Sequence, residues 1–281
     1  MSRKLVLFNR AGLCNRIDNI INGLFLNDIF RNGAYDITLF WPITPHCAIE
    51  YNKLFEEPKF NTIISEDSRE KLKEIKQEKT CEIALETFSI PSNMLQDKKY
   101  ISKYLNLFVP ERDIYKKAKK FIDENNIDKS VFSVHLRSWE FFFEIDKKKA
   151  LGDYDKRKGY LLKKIREEIA LNRNIKIFLI SDSSQVEKEF KNIFPKNIII
   201  KEKKASLEVN DKKEEMINDK NYNFETHLNR NEELVKESLI DLLIMSKTKF
   251  IPPNVRSGSF TKTCGLMSNY YDFDKLESYY S

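Results

Sequence analysis

The sequence predicts an α/β protein made of two doubly wound, Rossmann-like domains facing each other across a cleft. Three observations carry this. The chain opens with a strand, a loop, a helix and a second strand. A second α/β pattern begins near residue 130, and an amphipathic helical stretch at 111–126 lies between the two. A parallel strand pair needs a crossover of a dozen or more residues, and the helical segment between the opening strands has that length. The boundary is drawn at 127/128, giving an N-terminal domain of 1–127 and a C-terminal domain of 128–281.

KLVLF (4–8) is the first strand, followed by the loop NRAGLCNR. Ile17, Ile20, Ile21, Leu24, Phe25 and Ile29 then recur at helical spacing, and Gly33 stops the helix. DITLFW (36–41) is the second strand, and WPITPHC, with two prolines, is a loop. Residues 66–80 are charged and read as exposed. In the second half, SVFSVHL (130–136) is a strand and 155–172 a helix with Leu161, Leu162, Ile165 and Ile169 on one face. IKIFLIS (175–181) is apolar without alternation, as a parallel strand buried on both faces requires. A helix capped by Asp182 or Ser183 follows, then a strand at NIIIKE, a helix at 237–248 and a strand at KFI. Residues 201–233 are dense in Lys, Glu, Asp and Asn and read either as a solvated loop or as a flap over a ligand.

The 281 residues are 41% hydrophobic, enough for real cores, and 33% charged, with a net charge of +6. That charge is spread along the chain and not gathered into an arm. It suits a small anionic ligand better than nucleic acid, which is not expected as a partner. Cys14, Cys47, Cys81 and Cys264 form no CxxC pair, and with only 3 histidines a zinc site is not expected. Scattered cysteines read as reduced thiols. The basic start carries an apolar run too short for a signal sequence, and no stretch reaches the roughly 18 apolar residues of a membrane span. The expectation is a cytoplasmic protein with at most peripheral membrane contact.

In doubly wound sheets, ligands bind beyond the C-terminal ends of the strands. The unusual loops fall there. In HLRSWE, alternation puts His135 and Arg137 on one side, where Arg137 could grip a phosphate or carboxylate with two parallel bonds. The plainer alternative pairs Arg137 with Glu140 and leaves His135 in the core. In SDSS, Asp182 and Ser183 either cap a helix or meet a nucleobase or ribose while the helix amides face an anion. In VRSGSF, the hydroxyls of Ser257 and Ser259 around Gly258, with Phe260, either make a polar turn or let a phosphate come close. In GLCNR, Gly12, Asn15 and Arg16 either close a strand-to-helix turn or reach a ligand. Neither GxGxxG nor GxxxxGK[ST] is present, which removes the dinucleotide fingerprint and the P-loop.

Taken in order, these segments resemble the GDP-fucose-dependent α1,2-, α1,6- and O-fucosyltransferase superfamily over roughly residues 5–265. GLCNR resembles its first loop, and FWPITPHCAIEYNKLFEEP the segment after it. HLRSWE resembles HxRxxD, FLISDSS a strand ending in SD, and ESLIDLLIMSKTKFIPPNVRSGSF a "DLLLLS…SSF" segment. Here Glu140 stands where the pattern has Asp, and RSGSF where it has SSF.

The resemblance implies the GT-B fold and a metal-independent, inverting transfer of fucose from GDP-fucose to a glycan acceptor, without a cofactor. The acceptor could still be on its lipid carrier, which a basic surface would help to approach. Arg137 would hold the donor β-phosphate, with His135 in support. Asp182 would meet the base, while Ser183, Ser257, Gly258, Ser259 and Phe260 would surround the phosphates and nucleoside. Gly12, Asn15 and Arg16 would reach the donor from the first domain. Glu144 and Glu140 head the candidates for catalytic base, followed by Asp146 and Asp18. Two other readings remain open: another nucleotide sugar on the same fold, or a carbohydrate- or anion-binding protein without catalysis.

Overall fold

The computed structural model describes residues 3–31, 35–44, 46–56, 60, 62–65, 69–79, 81–85, 98–137, 147–202, 231–253 and 258–280. It is an α/β structure with two parallel four-stranded sheets.

The first sheet runs β3–β2–β1–β4, from β1 (Arg3–Phe8), β2 (Tyr35–Phe40), β3 (Thr62–Ile64) and β4 (Cys81–Leu85). Helix α1 (Leu13–Arg31) makes the crossover from β1 to β2. β1 pairs in register from Arg3↔Tyr35 to Phe8↔Phe40, and its Leu5, Val6 and Leu7 are wholly buried, so the unbroken apolar run reflects burial on both faces. Gly23 lets α1 lie close on the sheet: a Cβ built there would stand 2.3 Å from Leu7 Cδ2. Helix α2 (Arg69–Gln77) lies within the stretch read from sequence as charged and exposed. Its charged side chains are exposed as expected, while REKLKEIKQ sets Leu72 and Ile75 three apart and buries those two against Val6, Phe8 and Phe40.

Helices α3 (Lys98–Leu105) and α4 (Arg112–Glu124) follow. The second sheet runs β7–β6–β5–β8, from β5 (Phe132–Leu136), β6 (Ile177–Ser181), β7 (Ile198–Ile200) and β8 (Lys249–Phe250). Its helices are α5 (Lys147–Leu171), α6 (Ser184–Ile193), α7 (Glu232–Ser246) and α8 (Ser259–Tyr270), and α9 (Asp274–Tyr280) closes the described chain. One face of β5, carrying Val134 and Leu136, packs with Leu161 and Ile165 of α5 and Val186 and Phe190 of α6. The other face carries Ser133 and His135.

Packing divides the chain into two units. The first gathers 1–115, 229–236 and 270–281, and the second 116–228 and 237–269. The division runs through α4, where the sequence reading placed it just beyond that helix, and it returns the C-terminal segment to the first unit.

Two polar knots brace the second unit. The Lys129 ammonium donates to the carbonyls of Ser246 (2.8 Å), Thr248 (3.0 Å) and Ser268 (2.5 Å), at the C-terminal ends of α7 and α8. Just beyond β7, Lys201 pairs with Glu237, and its Nζ lies 3.3 Å from Asp241 Oδ1. Burial pulls the Lys201 ammonium down, but Asp241 and Glu237 outweigh it and hold its pKa above the ordinary lysine value. None of Cys14, Cys47, Cys81 and Cys264 is in a disulfide. Among the described residues no helix is long and apolar enough to cross a membrane.

Candidate functional site

Strand order fixes where each sheet opens. In the second sheet the chain steps from β5 outward to β6 and β7, then places β8 on the other side of β5. The switch point therefore lies between β5 and β8, and that is where an open parallel sheet binds ligand. The residue just beyond β5 is Arg137, half-buried at the C-terminal edge. His135, 8% exposed, points from β5 toward α8: Nδ1 lies 2.9 Å from Thr261 Oγ1, and its ring centroid lies 4.8 Å from that of Phe260. Strand alternation explains this direction, since Val134 and Leu136 take the opposite, apolar face.

Helix α8 follows Gly258, whose carbonyl accepts from Lys262 N at 3.2 Å. Ser259, Phe260 and Thr261 form its first turn, so the backbone N–H groups free of helical partners there lie beside the end of β5. The structure thus brings together His135, Gly258, Ser259 and Phe260, with Arg137 two residues past His135. Thr261, which orders the His135 ring, is a residue the sequence reading missed. Nothing but its position two residues after Ser259 could have marked it.

Asp182 and Ser183 stand at the end of β6, one strand further out. Ser183 is the N-cap of α6: its hydroxyl accepts from Val186 N at 3.4 Å, and its own N–H donates to Ser181 Oγ at 3.2 Å. The cap reading accounts for that hydroxyl. Asp182 is half-buried. Burial pushes the nearby Tyr154 phenol up to about 12, with Glu189, Asp155 and Asp182 adding to it.

The first sheet is built alike, with its switch point between β1 and β4. Gly12, Asn15 and Arg16 lie after β1. Here the sequence reading needs correction: the helix starts at Leu13, not Ile17, so Asn15 and Arg16 belong to its first turn. Asn9 makes the early start possible. Its Oδ1 accepts from Ala11 N at 2.8 Å, closing an Asx turn, and its Nδ2 donates to Asn15 O at 3.1 Å. Gly12 O then accepts from Arg16 N at 3.2 Å. The Arg16 side chain, 1% exposed, donates from Nε to Ala11 O at 2.7 Å and from Nη2 to Thr44 Oγ1 at 3.1 Å, and lies 4.8 Å from the Trp41 ring centre. Arg16 thus ties the β1–α1 turn to the loop after β2.

Glu140, Glu144, Asp146, Ser257 and nearly all of the 201–233 stretch lie outside the described residues. Among the described residues, no three His, Cys, Asp or Glu side chains gather as metal ligands would. Two Asp-x-Asp triplets occur, at 153–155 and 272–274. The first lies inside α5 and the second at the α8–α9 junction, so neither follows a strand.

No family model matches the chain, and no curated protein is similar to it in sequence. Solved structures are. NodZ α-1,6-fucosyltransferase soaked with GDP-fucose superposes with a TM-score of 0.59 at 15% identity, over 95% of this chain and 93% of that one. The chain has the fold of a fucosyltransferase. Fucosyltransferase NodZ from Bradyrhizobium gives a TM-score of 0.52 at 16% identity, over 94% and 92% of the two chains. POFUT1 in complex with GDP gives 0.51 at 13% identity, over 95% and 94%. The likeness to the fucosyltransferase fold therefore spans both sheets.

Proposed function

We propose that this protein is a glycosyltransferase of GT-B architecture that moves fucose from GDP-fucose to a glycan acceptor, with inversion and without a metal. The observation that carries the reading is the His135–Arg137 pair at the switch point of the second sheet. It stands in a chain whose fold follows, nearly end to end, that of fucosyltransferases solved with GDP or GDP-fucose. In this proposal the C-terminal domain holds the nucleotide sugar and the N-terminal domain takes the acceptor.

The chemistry follows from the charges. When the bond to the sugar breaks, the departing diphosphate gains negative charge. Arg137 can meet it with two parallel charge-assisted bonds, and the first-turn amides of α8 can add fixed donors. Together they supply what a divalent cation supplies in other nucleotide-sugar sites. His135, oriented by Thr261, supports the phosphates; Asp182 meets the base; Ser257, Ser259 and Phe260 enclose the nucleoside. The acceptor hydroxyl needs a base on the far side of the sugar, and we assign it to a carboxylate in the segment after Arg137, Glu144 before Glu140. The reaction is placed in the cytoplasm, on a glycan under assembly.

The test is a calorimetric titration with GDP and GDP-fucose, with and without EDTA, followed by a panel of UDP and GDP sugars. Binding of GDP-fucose that EDTA leaves unchanged is expected. A UDP sugar that binds where GDP-fucose does not would overturn the donor. Binding abolished by EDTA would overturn metal independence.

A further inference from the structure

Helix α1 is buried where its sequence is polar. At about 100° per residue, Asn15, Asp18, Asn19 and Asn22 fall in one sector, opposite Ile17, Ile20, Ile21 and Leu24. A helix patterned this way ordinarily gives its polar sector to water. Here Asn19 and Asn22 are each 1% exposed and Asp18 is 8% exposed, while Asn15, a turn nearer the helix start, is half-buried. Neither Nδ2 nor Oδ1 of Asn19 has a hydrogen-bond partner. An amide buried in that state destabilises the fold and calls for a reason.

Its place supplies one. Side chains on a helix lean toward its N-terminus, so Asn19 covers the turn at Asn15, at the end of α1 that meets the switch point of the first sheet. The ligand class follows from the unmet groups. A fully ionised, sugar-linked diphosphate can only accept, and would leave Oδ1 unsatisfied. A hydroxyl, or a neighbouring pair of them, both donates and accepts and satisfies the whole amide. We propose that this sector of α1 is a subsite for the hydroxyls of a neutral sugar ring, with Asn19 as its inner contact and Asn15 at its mouth. The inference deepens the glycosyltransferase reading and rests on it. The sugar is either the one carried by the donor or one in the acceptor glycan.

Asn19→Leu tests it, because Leu keeps the size and removes both polar atoms. The variant should melt about 2–4 °C higher than wild type, since an unmet buried amide is gone. It should also lose sugar binding by about tenfold, as for one good hydrogen-bonded group. GDP and GDP-fucose are titrated by calorimetry, and neutral oligosaccharides are followed by saturation-transfer NMR. A loss for GDP-fucose with GDP unchanged assigns the subsite to the donor's sugar. A loss of saccharide signal with both nucleotides unchanged assigns it to the acceptor. Asn19→Ala, which cannot overfill the space, should repeat whichever loss is seen. Wild-type affinity for every ligand in both variants overturns the subsite, and if the Leu variant also melts lower, Asn19 is held by internal water instead. A wild-type protein that binds no nucleotide sinks the glycosyltransferase reading separately. The subsite then survives only if saccharide binding is present and is lost in Asn19→Leu.

Discussion

Removing the Lys201 ammonium should unfold the second unit more readily than any single surface change. Lys201, Glu237 and Asp241 have side chains only 10%, 9% and 5% exposed, so Lys201→Met would leave two carboxylates with little water to replace their partner. At 3.3 Å and an effective dielectric of about 20, the Lys201–Asp241 attraction alone is on the order of 5 kcal/mol before desolvation is counted. Breaking a buried pair from one side costs about 3–5 kcal/mol in practice. The expected result is a loss in that range, read as a lower urea midpoint with an unchanged slope. Replacing all three with Met, Gln and Asn should recover most of it, since nothing charged is then left without a partner. The pH dependence has a fixed sign. The folded pKa of Lys201 is raised above its ordinary 10.5, so the contribution of its charge is full below that pH and fades as pH rises through the folded value. The deficit of Lys201→Met should hold steady from neutral pH to about 9 and narrow only above 10.5. A loss under about 1 kcal/mol at neutral pH would show that the cluster is solvated and refute the reasoning.

Three further outcomes are expected. Arg137→Ala should lower transfer by about 10²–10³-fold while leaving the melting temperature near wild type, and Arg137→Lys should not restore it, because the two-pronged geometry is gone; activity within threefold of wild type, about 0.7 kcal/mol, would remove Arg137 from the site. Gly23→Ala gains about 1 kcal/mol of helix propensity but drives a methyl group against Leu7, which is wholly buried, so differential scanning calorimetry should show a net loss of about 1–2 kcal/mol, and Leu7→Ala should cost less in the Gly23→Ala background than alone. Lys129→Met strips a charged donor from three carbonyls and should cost about 2–3 kcal/mol in thermal denaturation; an unchanged melting temperature would mean water replaces the ammonium.

The centre of the second sheet could be read from the chain because β6 is almost wholly apolar and β5 alternates an apolar face with a polar one. IKIFLIS is the run a strand covered on both faces requires, SVFSVHL sets Val134 and Leu136 on one side, and β6 and β5 lie where they were expected. Weakly patterned elements escaped. β3 spans three residues and β4 five, and each is recognised by pairing with a distant partner, Thr62 with Thr38 and Ile83 with Leu5, which no local window contains. α2 was hidden by its lysines and glutamates, which outnumber the two apolar residues that fix it. At the site, HLRSWE drew notice through residue type and position, and those are what strand order turns into a switch point. Thr261 and Asn19 could not be found this way. One matters for the ring nitrogen across from it, the other for hydrogen bonds it does not make, and neither property is written in the neighbouring residues.

The last segment of the chain completes the first unit. Tyr271 donates its hydroxyl to Phe108 O at 2.8 Å, Ser102 Oγ donates to Tyr270 O at 3.0 Å, and Asp272 N donates to Asn106 Oδ1 at 2.8 Å. Tyr280 stacks on Tyr115 with ring centres 4.8 Å apart. These contacts span more than 160 residues, so they belong to the slow, non-local class of folding events. During synthesis the second sheet has all four strands once residue 250 has emerged. The first unit, whose strands are made earlier, must wait with the Tyr115 ring uncovered until Phe273 and Tyr280 arrive. A stalled or shortened chain would therefore expose a hydrophobic surface on the half that was translated first.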